Sequence, residues 1–154
     1  MMIGRRLMVM AAEDIGMAYP SASSIVTSCV QAAQMIGFPE AQIPLAQATV
    51  LLASCPKSNR ANEALKAAFA DIKSKKIDDV PPHLMDAHYG GAAKLGRGLE
   101  YKYPHAYGGY VTQQYLPDNL YAEGVRYYEP SENGSEGAFK KYLEELRRID
   151  SENS

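Results

Sequence analysis

Tryptophan is absent from this sequence of 154 residues, and cysteine and histidine are scarce, with two and three residues. The two cysteines, Cys29 and Cys55, lie in apolar helical patterns without a CxxC spacing, which argues against a zinc ribbon or a dithiol redox motif. They could form one bridge, but we expect buried, reduced thiols in a cytoplasmic protein. His83, Asp86 and His88 resemble metal ligands, yet histidines five apart do not share a helical face, so we expect no metal.

Neither sign of charge dominates the chain. Sixteen Lys and Arg residues face 18 Asp and Glu residues, which leaves a net charge of −2. A chain this balanced has no overall attraction for nucleic acid or for an anionic membrane. The longest nearly uncharged apolar stretch, residues 43–55, is too short to span a bilayer, so we expect no membrane contact.

The common catalytic motifs are missing as well. The sequence contains no GxxxxGK[ST] phosphate loop, no HExxH and no GxSxG. We therefore predict no catalytic, cofactor-binding or metal-binding residues in this chain. A small enzyme that uses His83, His88 or His105 as a base is an alternative that the sequence leaves open.

Composition changes near residue 80. Fifteen of the 21 alanines lie in residues 1–70, whereas ten of the 11 tyrosines and nine of the 12 glycines lie after residue 88. The first half is typical of compact helices, and the second half is typical of an irregular, aromatic-rich segment. We expect one domain, residues 1–154, with a helical core in 4–80, a Tyr/Gly-rich segment in 81–130 and a C-terminal helix in 135–149.

Hydrophobic periodicity predicts the helices individually. They are expected over residues 5–15, over 22–36, from Pro44 to the residues before Pro56, from a Ser58 or Asn59 cap to about residue 72, and over 135–149. The second of these ends at Gly37. The fourth carries one apolar stripe, formed by Ala61, Ala64, Leu65, Ala68, Phe69 and Ile72. The last is expected to turn Phe139, Tyr142, Leu143, Leu146 and Ile149 inward.

The Tyr/Gly-rich segment has weaker signals. Residues 87–95 hint at a helix, while residues 110–115 and 125–128 look extended and can pair as a small hairpin. The fold class is therefore all-α, with this irregular segment and the hairpin as additions.

An aromatic run, residues 101–110, is the feature most able to carry recognition. Rings interleaved with Lys and His can stack on single-stranded bases, and they can equally wedge a loop onto the helical body. The candidate contacts to nucleic acid or to a partner protein are Tyr101, Lys102, Tyr103, His105, Tyr107 and Tyr110. The acidic local charge favours packing over nucleic-acid binding.

Six ordered blocks carry a resemblance to a known family. They are RRLMVMAAEDIG (5–16), IGFPEAQIPLAQA (36–48), CPKSN (55–59), PPHLMDA (81–87), YKYPHAYGGYVTQQYLPD (101–118) and RYYEPS (126–131). Together they resemble the C-terminal region of the bacterial RarA/MgsA family of AAA+ ATPases, with the Werner-helicase-interacting ATPase and the clamp loaders as wider relatives.

The resemblance implies a fold similar to the helical collar of clamp loaders, and a role as a homotetramerisation domain without catalysis of its own. ATP and Mg²⁺ would be bound only by an N-terminal AAA+ module that is absent from this chain. The full-length protein would act at replication forks and in recombination, with DNA and single-stranded-DNA-binding protein as partners. The nearly all-apolar helix then becomes a candidate subunit contact through Leu45, Ala48, Leu51 and Leu52.

Overall fold

The computed structural model describes residues 2–86 and 98–153, and within these ranges the regular structure is helical, without a β-strand. Six α-helices are assigned there: α1 Met2–Met10, α2 Ala22–Ile36, α3 Gln42–Ser54, α4 Arg60–Ser74, α5 Asp118–Ala122 and α6 Glu136–Asn153. The predicted all-α class is confirmed. The helix predicted over 87–95 lies outside the described residues. No helix in the described part is both long enough and apolar enough to cross a membrane.

The predicted helix bounds match the observed ones closely in the first half of the chain. α2 spans the predicted residues and ends at Gly37, whose φ is +78°. The first predicted helix continues past α1 as a π-helical turn over Ala11–Ile15, and Gly16 follows with a φ of +49°. A Cβ atom on Gly16 would lie 2.5 Å from the Ser58 carbonyl oxygen, so this close approach requires glycine.

By Cα proximity the chain divides into two compact units, and the first comprises Met1–Ala67 and Tyr127–Leu143. In this unit α2 packs against α3, and α1 packs against both. The core consists of small and aliphatic side chains: Leu7, Ala11, Ile15, Ala22, Val26, Cys29, Val30, Ala48 and Leu52. Both cysteines are free thiols, with Cys29 buried and Cys55 half-buried.

Gly4 allows the start of α1 to approach α2 closely. A Cβ atom at this position would lie 2.7 Å from Cγ1 of Val30. Because the side chain of valine is branched at Cβ and stiff, it cannot easily move aside. The contact therefore fixes the distance between the two helices.

A buried carboxylate joins three segments of the first unit. Glu136, the first residue of α6, is fully buried and accepts hydrogen bonds from the hydroxyl groups of Tyr128 (2.7 Å), Ser131 and Ser58. Burial opposes ionisation of Glu136, but the three hydroxyl groups and the Ser131 backbone amide donate hydrogen bonds that outweigh it, and the pKa of this carboxyl lies below its ordinary value. Ser58 also accepts a hydrogen bond from the Arg60 amide, so the same cluster contributes to the start of α4.

The second unit comprises Ala68–Arg126 and Glu144–Ser154. Among its described residues, Pro81 and Leu120 are the buried apolar ones, and polar contacts hold the irregular segments. Asn119 and Asp78 exchange two hydrogen bonds between backbone amides and side-chain oxygens, and Lys75 forms an ion pair of 2.6 Å with Glu123.

The predicted hairpin between residues 110–115 and 125–128 is wrong. The carboxamide of Gln113 bonds instead to the backbone of Lys102, accepting from its N–H (3.2 Å) and donating to its carbonyl (2.9 Å). Gln114 donates to the Leu116 carbonyl and to the Asp118 carboxylate. These side-chain bonds replace the backbone ladder that a hairpin requires.

Replacing Glu136 with glutamine should lower the free energy of unfolding by about 1–3 kcal/mol at pH 7, because three hydroxyl donors lose a charged acceptor. The pKa of Glu136 is lowered in the folded state, so its contribution to stability is present above the ordinary pKa of a glutamate. That contribution disappears as the pH falls through the lowered value. Urea unfolding of both proteins between pH 7 and pH 3 measures the difference.

Glu132→Gln is the matched control, since Glu132 is an exposed glutamate on the same segment and pairs with Lys140. We expect it to change stability by less than about 1 kcal/mol. Equal acid sensitivity of wild type and E136Q would contradict a structural role for the buried carboxylate.

Candidate functional site

The outer face of α3 is apolar and exposed. Side chains three or four residues apart lie on one side of a helix, so Ile43, Ala46, Val50 and Ala53 form a stripe. All four are exposed, Ile43 by 72% and Val50 by 64%. A helix with apolar residues all round is expected either inside a core or between subunits. One side of α3 is in the core, and this stripe has no cover within the described residues.

The four predicted interface residues lie on the other side of α3. Ala48 and Leu52 are buried in the core of the first unit, and Leu45 and Leu51 are half-buried against it. The sequence thus identified the helix, whereas the exposed positions available to a partner are Ile43 and Val50. Contact of the four residues with another subunit stays a prediction.

α4 also presents an uncovered apolar stripe. None of its residues is buried, and Leu65, Phe69 and Ile72 are each more than half exposed. The predicted stripe is therefore present, but it does not pack inward. Beside it, Val9 and Ala12 line a shallow groove together with Ala61 and Leu65.

The turn between α2 and α3 forms an apolar groove with the start of α1. The groove has a volume of about 280 Å³ and is lined in part by Ile3, Val30, Ala33 and Leu45. Phe38 also lines it, with 73% of its surface exposed. Sequence reasoning missed this feature, although the apolar Phe38 in a turn between two helices was a visible signal.

The aromatic run places its rings at the surface of the second unit. Tyr101, Tyr103 and Tyr107 are exposed, and the rings of Tyr103 and His105 lie 5.1 Å apart at 50°. Tyr110 is half-buried, and its hydroxyl donates a hydrogen bond to Asp150 (2.6 Å).

Three of the six candidate residues of this run come together. Lys102, Tyr107 and Tyr110 line one cavity of about 430 Å³, whereas Tyr101, Tyr103 and His105 do not line it. Residues 98–126 contain two Lys or Arg residues and three Asp or Glu residues. A nucleic-acid site needs a local excess of basic residues, and these rings lack one.

A cavity of about 500 Å³ lies over the Glu136 cluster in the first unit. Its lining includes apolar Ile15 and Leu52, charged Asp14 and Arg60, and the cluster residue Ser58 together with Ser131. Both hydroxyls donate to the Glu136 carboxylate, whose lowered pKa makes it a weak base for activating either serine. None of the described lining residues is a histidine or a cysteine. The hydrogen bonds to Glu136 therefore serve to hold the wall of the cavity in place.

Two of the three histidines, His83 and His105, lie in the described part of the chain. Nε2 of His83 lies 2.8 Å from the Gln114 carbonyl oxygen, which accounts for this side chain structurally. His88 lies outside the described residues, as do the glycines of residues 90, 91 and 96. Among the residues described, no group of three potential ligands could hold a metal ion.

Comparison with known proteins gives a family for these helices. The model of the family described as MgsA AAA+ ATPase C terminal matches residues 1–147. Replication-associated recombination protein A of Bacillus subtilis is 52% identical over 148 residues, which cover 95% of this chain and 35% of that protein.

More distant relatives agree. Replication-associated recombination protein A of Haemophilus influenzae is 35% identical over 96% of this chain and 33% of its own length. ATPase WRNIP1 of Dictyostelium discoideum is 34% identical over 77% of this chain and 14% of its own length. The chain spans about a third of the length of the first of these relatives. The resemblance seen in the six sequence blocks is confirmed, and the chain belongs to the MgsA AAA+ ATPase C-terminal family.

Proposed function

We propose that this chain is a tetramerisation module of an AAA+ ATPase that acts in replication-associated recombination. The observation that supports this assembly role is the exposed apolar stripe of α3, because the opposite side of the same helix is already in the core. Soluble monomers rarely leave a contiguous apolar surface uncovered unless another molecule binds it. A second copy of the chain is the occupant that we propose.

Burial of the exposed apolar side chains would stabilise an assembly. Burying a valine or isoleucine side chain contributes about 1.5–3 kcal/mol, and Ile43 and Val50 are both mostly exposed in the single chain. The uncovered stripe of α4 adds Leu65, Phe69 and Ile72 to the surface that assembly can bury. Four copies that meet through such faces would hold four motor modules close together, which raises their effective concentration on DNA.

The remainder of the proposal concerns the full-length protein. The family description and the names of the relatives support an AAA+ module that binds ATP and Mg²⁺ outside this chain. We propose a cytoplasmic protein with DNA and single-stranded-DNA-binding protein as partners, and no catalysis by residues 1–154. The lack of a phosphate-loop sequence in these residues supports that division of roles.

Val50→Asp should lower the molar mass of the assembly, because a buried unpaired carboxylate would face the partner's apolar stripe. Multi-angle light scattering after size-exclusion chromatography, at tens of micromolar chain, measures the mass. We expect a tetramer for the wild type and a smaller species for V50D. Since Val50 is exposed in the single chain, the variant should unfold at nearly the wild-type urea concentration.

Ser24→Asp is the control, because Ser24 is an exposed polar residue of α2 and lies outside the α3 stripe. It should keep the wild-type mass. A wild-type chain that stays monomeric over the whole concentration range would refute the assembly role, and so would equal masses for wild type and V50D.

The aromatic run is the second candidate site, and the exposed rings of Tyr101 and Tyr103 are the observation that favours it. Stacking on bases contributes about 1–3 kcal/mol per base, so binding through these rings would weaken at least tenfold in a Y101A/Y103A variant. Fluorescence anisotropy with a labelled single-stranded oligonucleotide at two salt concentrations measures this. Tyr121→Ala, another exposed ring of the same unit, is the control. Equal affinity of wild type and the double variant would exclude this site.

A further inference from the structure

The α2–α3 turn presents an exposed ring and an apolar groove side by side, so two copies of the chain could each insert a ring into the other's groove. Phe38 projects as an exposed ring, and the groove beside it is a cavity of about 280 Å³ lined by aliphatic side chains that include Ile3, Val30 and Leu45. A protruding ring beside an apolar depression suits a two-fold contact, since each copy supplies one of each.

The same surface carries one acidic and one basic side chain, so two copies related by a two-fold axis can pair them. Glu40 is an exposed residue two positions after Phe38, in the turn. Arg6 is exposed on α1, three residues after Ile3 and therefore next to it on the helix surface. Neither side chain forms an ion pair with another described residue. If the Phe38 ring of one copy enters the groove of another, its Glu40 is carried toward the partner's α1, where Arg6 neighbours the groove residue Ile3.

This surface is distinct from the outer stripe of α3. Ala41 and Leu45 line the groove, while Ile43 lies between them in sequence. A rotation of 100° per residue turns Ile43 and Val50 about 180° away from the groove side of the helix axis. A tetramer with D2 symmetry needs two different isologous contacts on each subunit, and the two faces of α3 meet that condition.

We propose that the groove face is a second isologous contact between copies of this chain, in which Phe38 fills the partner's groove and Glu40 pairs with the partner's Arg6. The proposal rests on the proposed tetramer and names one of its two interfaces. An apolar ring in a groove supplies the burial, and the pair of charges, formed twice by symmetry, fixes the orientation.

Charge reversal tests the pairing on the full chain. Glu40→Arg and Arg6→Glu, made singly, each place like charges across the contact and should raise the dissociation constant of the tetramer at least tenfold in sedimentation velocity. The double variant R6E/E40R restores opposite charges and should return the constant to within about threefold of wild type. Phe38→Ala should weaken the contact as the single reversals do.

Arg5→Glu is the matched control, because Arg5 is equally exposed but points to the other flank of α1, and it should leave the constant unchanged. The proposal is overturned if the single reversals leave the tetramer unaffected, or if the double variant fails to recover it. A tetramer that resists these reversals but dissociates in V50D refutes this interface and leaves the assembly role intact. A monomeric wild type refutes both.

Discussion

The buried carboxylate of Glu136 is the interaction on which the first unit depends. Its hydrogen bonds from Tyr128, Ser131 and Ser58 join the segment before α6 to the α3–α4 loop, two parts of the chain about 70 residues apart in sequence. Without these donors a charged carboxylate could not be buried, because desolvation alone would raise its pKa and neutralise it. The cluster also raises the pKa of Tyr128, through burial and through the neighbouring negative charge. The segment that contains Gly134, too close to the Ala18 carbonyl for any side chain, is thereby held in place.

Close packing of small residues leaves one side of α3 uncovered. Alanines and Gly4 allow α1, α2 and α3 to approach one another, and the core is complete with one side of α3. The other side has no element of the first unit's described residues to cover it, although its residues are as apolar as the buried ones. An apolar surface of this kind costs free energy in water, and evolution would normally replace Ile43 and Val50 with polar residues if nothing bound there. The exposed stripe is therefore the observation that supports the proposed second copy.

Periodicity predicted the helices well because it reflects local geometry. The 3.6-residue stripe of α2 and the glycine that ends it gave its bounds, and both are properties of a short window of sequence. The same signal could not tell which molecule covers a stripe: Phe139 and Tyr142 of α6 were expected inward and are exposed, and the predicted stripe of α4 is exposed as well. The hairpin failed because Gln113 and Gln114 bond to backbone through their side chains, which propensity does not register. Glu136 was missed because a glutamate at the start of a helix normally indicates a solvated first turn.

Two faces on opposite sides of one helix restrict the symmetry of the assembly. A single isologous face closes as a dimer, and one heterologous face generates a ring or a filament. If α3 contributes to two isologous contacts, one through Ile43 and Val50 and the other through the groove that Leu45 lines, the closed assembly of four copies has D2 symmetry. In that arrangement α3 is the element common to both interfaces, so a displacement of α3 at one contact would also shift the other contact. In such a tetramer the copies of this chain would be arranged as two pairs related by two-fold axes.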